Sequence, residues 1–108
     1  MINEQKMDEK LMELGYADNI RGTRYLRTAV RIYDQDNNAT MTKEIYPAVA
    51  KIHGTTASRV ERGIRHANQL ACERAGFEYV RRFYSNSIGR YPTNGEVIAR
   101  MARAFHED

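Results

Sequence analysis

The sequence lacks disulfide bonds, membrane-spanning segments and a signal peptide, which stabilise or anchor many small proteins. It has one cysteine, Cys72, and no tryptophan among 108 residues. A single cysteine excludes an internal disulfide, and we expect this one to be buried in a helix rather than reactive. No apolar run approaches the roughly 20 residues that span a bilayer, and the polar N-terminus MINEQKMDEK is not a signal peptide. These absences predict a soluble, cytoplasmic protein with no membrane partner.

The residue groupings typical of catalytic sites are missing as well. His53, His66 and His106 lie far apart in the sequence and do not have the spacing of metal ligands. Cys72 and His66 would point in different directions from one helix, which disfavours a Cys–His nucleophile. No glycine-rich phosphate loop or catalytic pair of carboxylates appears. We therefore predict a protein that is not an enzyme and that requires neither a cofactor nor a metal ion.

What the sequence does contain is helical periodicity along nearly its whole length. Apolar residues recur at spacings of three and four, and no segment alternates as a half-buried strand would. The length fits one domain, residues 1–108. We predict an all-α domain of six helices, with loops at about 34–40 and 85–92. The predicted helices cover about 3–14, 23–34 and 46–53, then a fourth from an N-cap at 55 or 56 to about 75, a fifth at 77–84, and a last one that opens at 93 and includes 105.

Several residues mark where these helices begin and end. Gly15 and Gly54 are suited to the left-handed conformation that closes a helix. Pro47 is tolerated only in the first turn of a helix, so the third helix is expected to begin near Tyr46 after a short turn from Thr42. The sequence T-x-x-E at Thr93 is typical of a capping box and opens the last helix.

The third and fourth helices have the spacing of a helix-turn-helix, which we predict from Pro47 to about Ala71. The turn Gly54-Thr55-Thr56 has the expected length and glycine content. A small residue, Ala50, lies four positions before the glycine, and the apolar Val60 lies six positions after it. Unrelated helical pairs also show this spacing. The composition of the fourth helix must therefore decide whether these two helices form a DNA-binding motif.

The fourth helix presents an apolar stripe and an opposite face suited to DNA. At about 100° per residue, Ile64, Ala67 and Ala71 fall within about 40° of Val60, and these residues are expected to face the core. The opposite face holds Ser58, Arg62, Arg65 and Gln69, flanked by Arg59, Glu61 and His66.

The chemistry of this face matches base and phosphate recognition. Arginine pairs with guanine O6 and N7, and a carboxylate accepts from cytosine N4, so we predict that Ser58, Glu61, Arg62 and Arg65 contact bases. Hydroxyl groups and cations contact phosphates. The predicted phosphate contacts are Thr55, Thr56, Arg59, His66, Lys51 and Lys43. Two other interpretations remain open: a solvated face with an ordinary Glu61–Arg65 ion pair, or a helical protein–protein module, such as a regulatory antagonist, that does not bind DNA.

The segment TTASRVERGIRHA (55–67) resembles the recognition-helix signature of the C-terminal effector domain of the sporulation stage 0 protein A family. IRGTRYLRTAV (20–30), MTKEIYPAVAKIHG (41–54) and YPTNGEVIARMA (91–102) resemble further blocks of that domain in the same order. The resemblance implies a six-helix transcription regulator of sporulation whose fourth helix enters the major groove. It implies base or groove contacts by Glu61, Arg62 and Arg65, and supporting contacts by Ser58, Arg59 and His66. It further implies double-stranded promoter DNA, RNA polymerase and a DNA-assisted homodimer as partners.

The sequence departs from the family pattern in three respects. The family's regulators begin with a phosphorylated receiver domain, for which these 108 residues have no room, so we expect none here. Gly63 stands where alanine is expected, and glycine inside a helix costs about 0.5–1 kcal/mol. The segment 71–90 resembles the family least.

Overall fold

The computed structural model describes residues 1–84 and 91–108, with all their side chains except those of Phe77 and Arg81. The predicted all-α class with six helices is confirmed, and no named strand occurs in the described part of the chain. Most of the predicted loop 85–92, residues 85–90, lies outside the described residues. No described helix combines the length and apolarity needed to cross a membrane. The helices are α1 (Glu4–Glu13), α2 (Arg21–Gln35), α3 (Tyr46–His53), α4 (Ala57–Ala75), α5 (Phe77–Phe83) and α6 (Asn94–Phe105).

The helix ends follow from the capping residues that the sequence supplies. At Thr93 the capping box forms as predicted: its hydroxyl oxygen accepts from the Glu96 amide at 3.2 Å, while the Glu96 carboxylate accepts from the Thr93 amide at 2.9 Å. Gly15 and Gly54 both have positive φ, at 89° and 65°. The second helix begins two residues earlier than predicted, at Arg21, directly after the extended Ile20.

The turn predicted from Thr42 is a single π-helical turn, Met41–Ile45, that runs directly into α3. The Glu44 carboxylate accepts from the Thr40 amide at 2.9 Å and from its hydroxyl at 3.2 Å, which closes the start of this turn. Ile45 is fully buried beneath it. Pro47 lies in the first turn of α3, so its missing N–H leaves the hydrogen bonds within α3 intact.

The core is built around α2, which packs against α3, α4 and α6. Its crossing with α4 is made by Gly22 and Gly63. A Cβ atom added at Gly22 would lie 1.8 Å from the Gly63 carbonyl oxygen. At Gly63 a Cβ atom would lie 3.1 Å from the edge of the Tyr25 ring. The glycine that costs α4 intrinsic helix stability therefore leaves room for a close approach to α2.

Helix α1 is attached to α2 by ion pairs at its exposed edge. Arg31 donates from Nε and Nη2 to the two carboxylate oxygens of Glu4, each at 2.8 Å. Arg27 pairs with Asp8 at 2.7 Å and also with Asp18. The hydrogen bond from Arg31 lowers the pKa of the Glu4 carboxyl, and this effect outweighs the opposing effect of partial burial.

Candidate nucleic-acid interface

The connection between α3 and α4 is a tight turn closed by backbone hydrogen bonds. Gly54 adopts the left-handed conformation (φ 65°, ψ 41°), and both its amide and that of Thr55 donate to the Ala50 carbonyl. The Thr56 hydroxyl oxygen accepts from the Arg59 amide at 3.2 Å and caps α4. Since Ala50 is buried and small, the two helices approach closely here. The start of α4 is thus held in one orientation relative to α3.

Helix α4 presents the two faces that its sequence pattern predicts. Val60, Ile64, Ala67 and Ala71 are buried in the core. Ser58, Arg62 and Arg65 are exposed on the opposite side, together with Arg59 and His66 on one flank. On the other flank Glu61 is half-buried. Every residue predicted to contact a base is therefore at least partly accessible, on one side of a single helix.

Arg62 has little to hold it in place. Its Nε donates to the Ser58 carbonyl at 3.4 Å, a long contact within the same helix. No other group in the described part of the chain engages its guanidinium. The Nη groups that would form a bidentate contact are thus available to a partner.

Arg65 and Glu61 form a loose ion pair one helical turn apart. Arg65 Nη1 lies 3.5 Å from the Glu61 carboxylate, and 56% of the Arg65 side chain is exposed. Exposed pairs of this spacing contribute about 0.3–0.5 kcal/mol, so either side chain can leave the pair at small cost. The presence of this ion pair therefore does not prevent Arg65 or Glu61 from contacting DNA instead.

The remaining predicted phosphate contacts surround this face. Lys51 is exposed in the last turn of α3, and Lys43 is exposed in the π-helical turn before it. Thr55 is half-buried. The Thr56 oxygen already accepts the capping bond, which leaves its hydroxyl proton free to donate to a phosphate.

A buried chain of side-chain hydrogen bonds fixes α4 from behind. The Asn94 side-chain amide donates to the Glu61 carbonyl at 3.0 Å, and the Asn68 amide donates to the Asn94 side-chain oxygen at 3.0 Å. Tyr16 then donates to the Asn68 oxygen at 2.5 Å and lies 3.1 Å from the Tyr84 hydroxyl. This buried polar chain connects α4, α6, the segment that follows α1 and the C-terminal end of α5. Sequence reasoning missed Asn68 and Asn94, because a polar residue within an apolar stripe does not reveal its partner.

Two tyrosines contradict the usual arrangement of a buried ring with its hydroxyl at the surface. The hydroxyl groups of Tyr16 and Tyr84 are buried and form a hydrogen bond with each other. Burial raises the pKa of both groups well above the ordinary value, so both stay neutral near pH 7. They serve as hydrogen-bonding groups inside the core.

Two concave surfaces flank the exposed face of α4. On the Glu61 side lies a mostly apolar groove of about 470 Å³, bordered by Met41, Tyr46, Arg65, Gln69 and Pro92. Burial raises the pKa of the Tyr46 hydroxyl in its wall, and the nearby Glu61 carboxylate adds to the increase.

On the Arg59 side lies a polar cavity of about 350 Å³, which we call the basic pocket. It is formed by Arg21, Arg24, His53, Gly54, Thr55 and Arg59, with the Tyr25 ring in its wall. Sequence reasoning did not identify Arg21 and Arg24. Their spacing places both at the start of α2, but only the folded chain brings them beside the α3–α4 turn.

The described residues offer little support for a reactive cysteine or for a metal site. Cys72 is buried, as expected, and burial raises the pKa of its thiol, which disfavours the reactive thiolate. Among residues 1–84 and 91–108, no three His, Cys, Asp or Glu side chains are grouped as a metal site would require.

Comparison with known protein families gives a match across this architecture. The model of the family described as sporulation initiation factor Spo0A C terminal matches residues 7–105. Those residues include all of α2 to α6, the α3–α4 turn and the exposed face of α4. The family is the DNA-binding effector domain of a transcription regulator, and it is a regulatory rather than a catalytic family.

Proposed function

This chain belongs to the Spo0A C-terminal family, and from that premise we propose that it reads a specific duplex DNA sequence through a helix-turn-helix formed by α3 and α4. In this proposal α4 is the recognition helix and enters the major groove. Arg62 and Arg65 contact guanine edges, Glu61 accepts from cytosine, and Ser58 adds a short polar contact. The outcome is transcription regulation at the promoters that carry this sequence.

The observation that carries the proposal is the exposed arginine face immediately after a rigid turn. Recognition helices present their N-terminal residues to base edges, and Ser58, Arg62 and Arg65 lie in the first half of α4. Neither arginine is held by a strong ion pair. Both side chains can thus reach a partner at small cost, since only the weak Glu61–Arg65 ion pair has to be broken.

The surrounding groups are assigned to the DNA backbone. Thr55, Thr56, Arg59 and His66 lie at the turn or on the Arg59 flank of the recognition helix, and Lys51 and Lys43 lie on α3 and the turn before it. Contacts of this kind set the register on the duplex without reading its sequence. We further propose a DNA-assisted homodimer on adjacent elements and a contact with RNA polymerase, as the family resemblance implies.

Selection from a random duplex library, carried out at about 50 and about 200 mM salt, tests the function. We expect a short consensus to be recovered, with an affinity that falls steeply with salt. The double variant Arg62→Ala/Arg65→Ala should lose the consensus while retaining weak, salt-sensitive binding. Arg103→Ala, which removes an exposed arginine on α6, should recover the same consensus as the unmodified chain.

Weak, consensus-free binding by the unmodified chain would contradict sequence-specific recognition. In that case the alternative, a helical module that pairs with another protein, becomes the interpretation to test.

A further inference from the structure

The basic pocket concentrates positive charge without any compensating carboxylate. Three arginines, Arg21, Arg24 and Arg59, line one cavity of about 350 Å³. No aspartate or glutamate lies among its described lining residues. Like charges gathered in one cavity repel each other, and a bound anion relieves that repulsion.

The four arginines of α2 differ in whether they have a carboxylate partner, so the uncompensated charge belongs to one part of the helix. Arg27 and Arg31 both form ion pairs with carboxylates of α1 and the loop that follows it. Arg21 and Arg24 have no ion pair in the described part of the chain, and both face the basic pocket. The arginines in one half of α2 are thus neutralised within the fold, while those in the other half have no carboxylate partner among the described residues.

The wall of the basic pocket is held in place by contacts that do not use its charges. The His53 Nε2 atom lies 2.8 Å from the Thr28 hydroxyl, and its ring packs edge-on against Tyr25 with centroids 5.1 Å apart. Gly54 closes α3 at this point in the left-handed conformation. The pocket is therefore largely formed before any partner arrives.

We propose that the basic pocket binds a phosphate group, supplied by the backbone of the DNA strand that passes the Arg59 side of the recognition helix. This inference rests on the proposed function and extends it to residues on α2. Measured around α4 from Val60, Arg59 and His66 lie about 100–120° to one side, while Glu61 lies about 100° to the other. A helix seated in the major groove has a phosphate backbone along each flank. The basic pocket lies on one of these flanks, and guanidinium groups bind phosphate oxygens through paired hydrogen bonds.

Arg24→Ala tests the assignment on duplex DNA. The affinity for the selected and for random duplexes should fall by a similar factor, because a phosphate contact carries no sequence information. The magnitude of the salt slope should decrease by about one, so the affinity loss between about 50 and about 200 mM salt becomes about fourfold smaller. Arg103→Ala, a matched exchange on α6, should leave the slope unchanged. A salt slope unaffected by Arg24→Ala, with DNA binding otherwise intact, would overturn the proposal.

Inorganic phosphate provides a second arm that does not depend on DNA. In a titration followed by NMR of the arginine Nε–H groups, saturable shifts at Arg21, Arg24 and Arg59, lost in Arg24→Ala, support the phosphate site. Unshifted signals at Arg21, Arg24 and Arg59 up to high phosphate would overturn the phosphate site. Saturable shifts in a chain that binds no duplex would reject the proposed function but retain the pocket, with a free phosphate compound as its ligand.

Discussion

At the scale of single residues, Arg62 and Arg65 differ in what each must release before it reaches a base. Arg65 must leave the Glu61 carboxylate at 3.5 Å, whereas Arg62 must leave only a 3.4 Å contact with a backbone carbonyl. When Arg65 moves, Glu61 also becomes free to accept from a base. Glu61 and Arg65 are therefore expected to act as a coupled pair, and Arg62 as an independent contact.

Arg62→Ala should cost about 1–3 kcal/mol of binding free energy, with the largest loss on the preferred site. The reason is that a bidentate contact with guanine is made only when the correct base is present. Binding titrations against the selected duplex and against duplexes with single base changes measure this effect.

Lys51→Ala is the control, because a phosphate contact should weaken binding to every sequence alike and lower the salt slope by about one. An unchanged ratio of specific to random affinity in Arg62→Ala would show that Arg62 does not read a base.

At the scale of helices, the orientation of the recognition helix depends on how closely α2 approaches α4. The Gly22–Gly63 crossing has no side chain on either helix, and the backbones approach until a Cβ atom at Gly22 would overlap the Gly63 carbonyl. Because the basic pocket combines the start of α2 with the start of α4, the same crossing also sets its shape.

Gly22→Ala should destabilise the fold by about 3 kcal/mol or more, the upper end of the cost of overpacking a core. The added methyl group would meet backbone rather than a movable side chain, so the helices must separate. Urea unfolding followed by circular dichroism measures the free energy change, and the DNA affinity of the folded fraction reports any displacement of α4.

Gly95→Ala is a matched control in the first turn of α6. A Cβ atom there would have only an ordinary contact, 3.8 Å from the Met41 side chain. The exchange should leave stability unchanged or raise it by up to about 1 kcal/mol. Equal stability losses in Gly22→Ala and Gly95→Ala would contradict the role of the crossing.

The elements differ in how far their sequence predicts them. The helix bounds near Asn3, Gly54 and Thr93 could be predicted because capping is a local matter of hydrogen bonds within a few residues. The buried and exposed faces of α4 were predictable for the same reason, since one helix of period 3.6 fixes both. The π-helical turn at Met41–Ile45 was not, because no local signal separates it from an ordinary turn.

Features that join distant segments could not be predicted from one sequence. The basic pocket unites residues 21–25 with residues 53–59, and the buried polar chain unites Tyr16, Asn68, Tyr84 and Asn94. Each requires the packing of several helices, and a pattern within one helix does not specify which residue of another helix it will meet. Gly63, which looked unfavourable within α4, became understandable only when α2 was placed against it.

At the scale of the whole molecule, the buried polar chain makes stability sensitive to alkali. The pKa values of Tyr16 and Tyr84 are raised in the fold, mainly by burial, whereas the unfolded chain ionises near the ordinary value of 10.0. A raised folded pKa means that the stability contribution is fully present below pH 10 and is lost as pH rises above it.

The free energy of unfolding should therefore fall steeply between about pH 10 and about pH 11 and change little from about pH 7 to about pH 8. Urea unfolding at each pH measures this loss, and tyrosinate absorbance should show two of the seven tyrosines titrating only with unfolding. Tyr16→Phe should be less stable at neutral pH, because Asn68 loses its donor, and should lose less further stability in alkali.

Tyr79→Phe, at a partly exposed position on α5, should retain the full alkaline loss. An alkaline response that is identical in Tyr16→Phe and Tyr79→Phe would show that the buried hydroxyl groups are not its source.

The two glycines of the α2–α4 crossing are not equivalent as targets of mutation. Gly22 is confined by a carbonyl group, which no neighbouring substitution can remove, whereas Gly63 is confined by the ring of Tyr25. In a library that randomises positions 22, 25 and 63 together, functional clones should keep Gly22 throughout. Gly63→Ala should be recovered mainly alongside a smaller side chain at position 25. At this crossing only α4 can therefore acquire a side chain in related sequences. Position 63 can do so when position 25 holds a smaller residue, whereas position 22 on α2 must remain glycine.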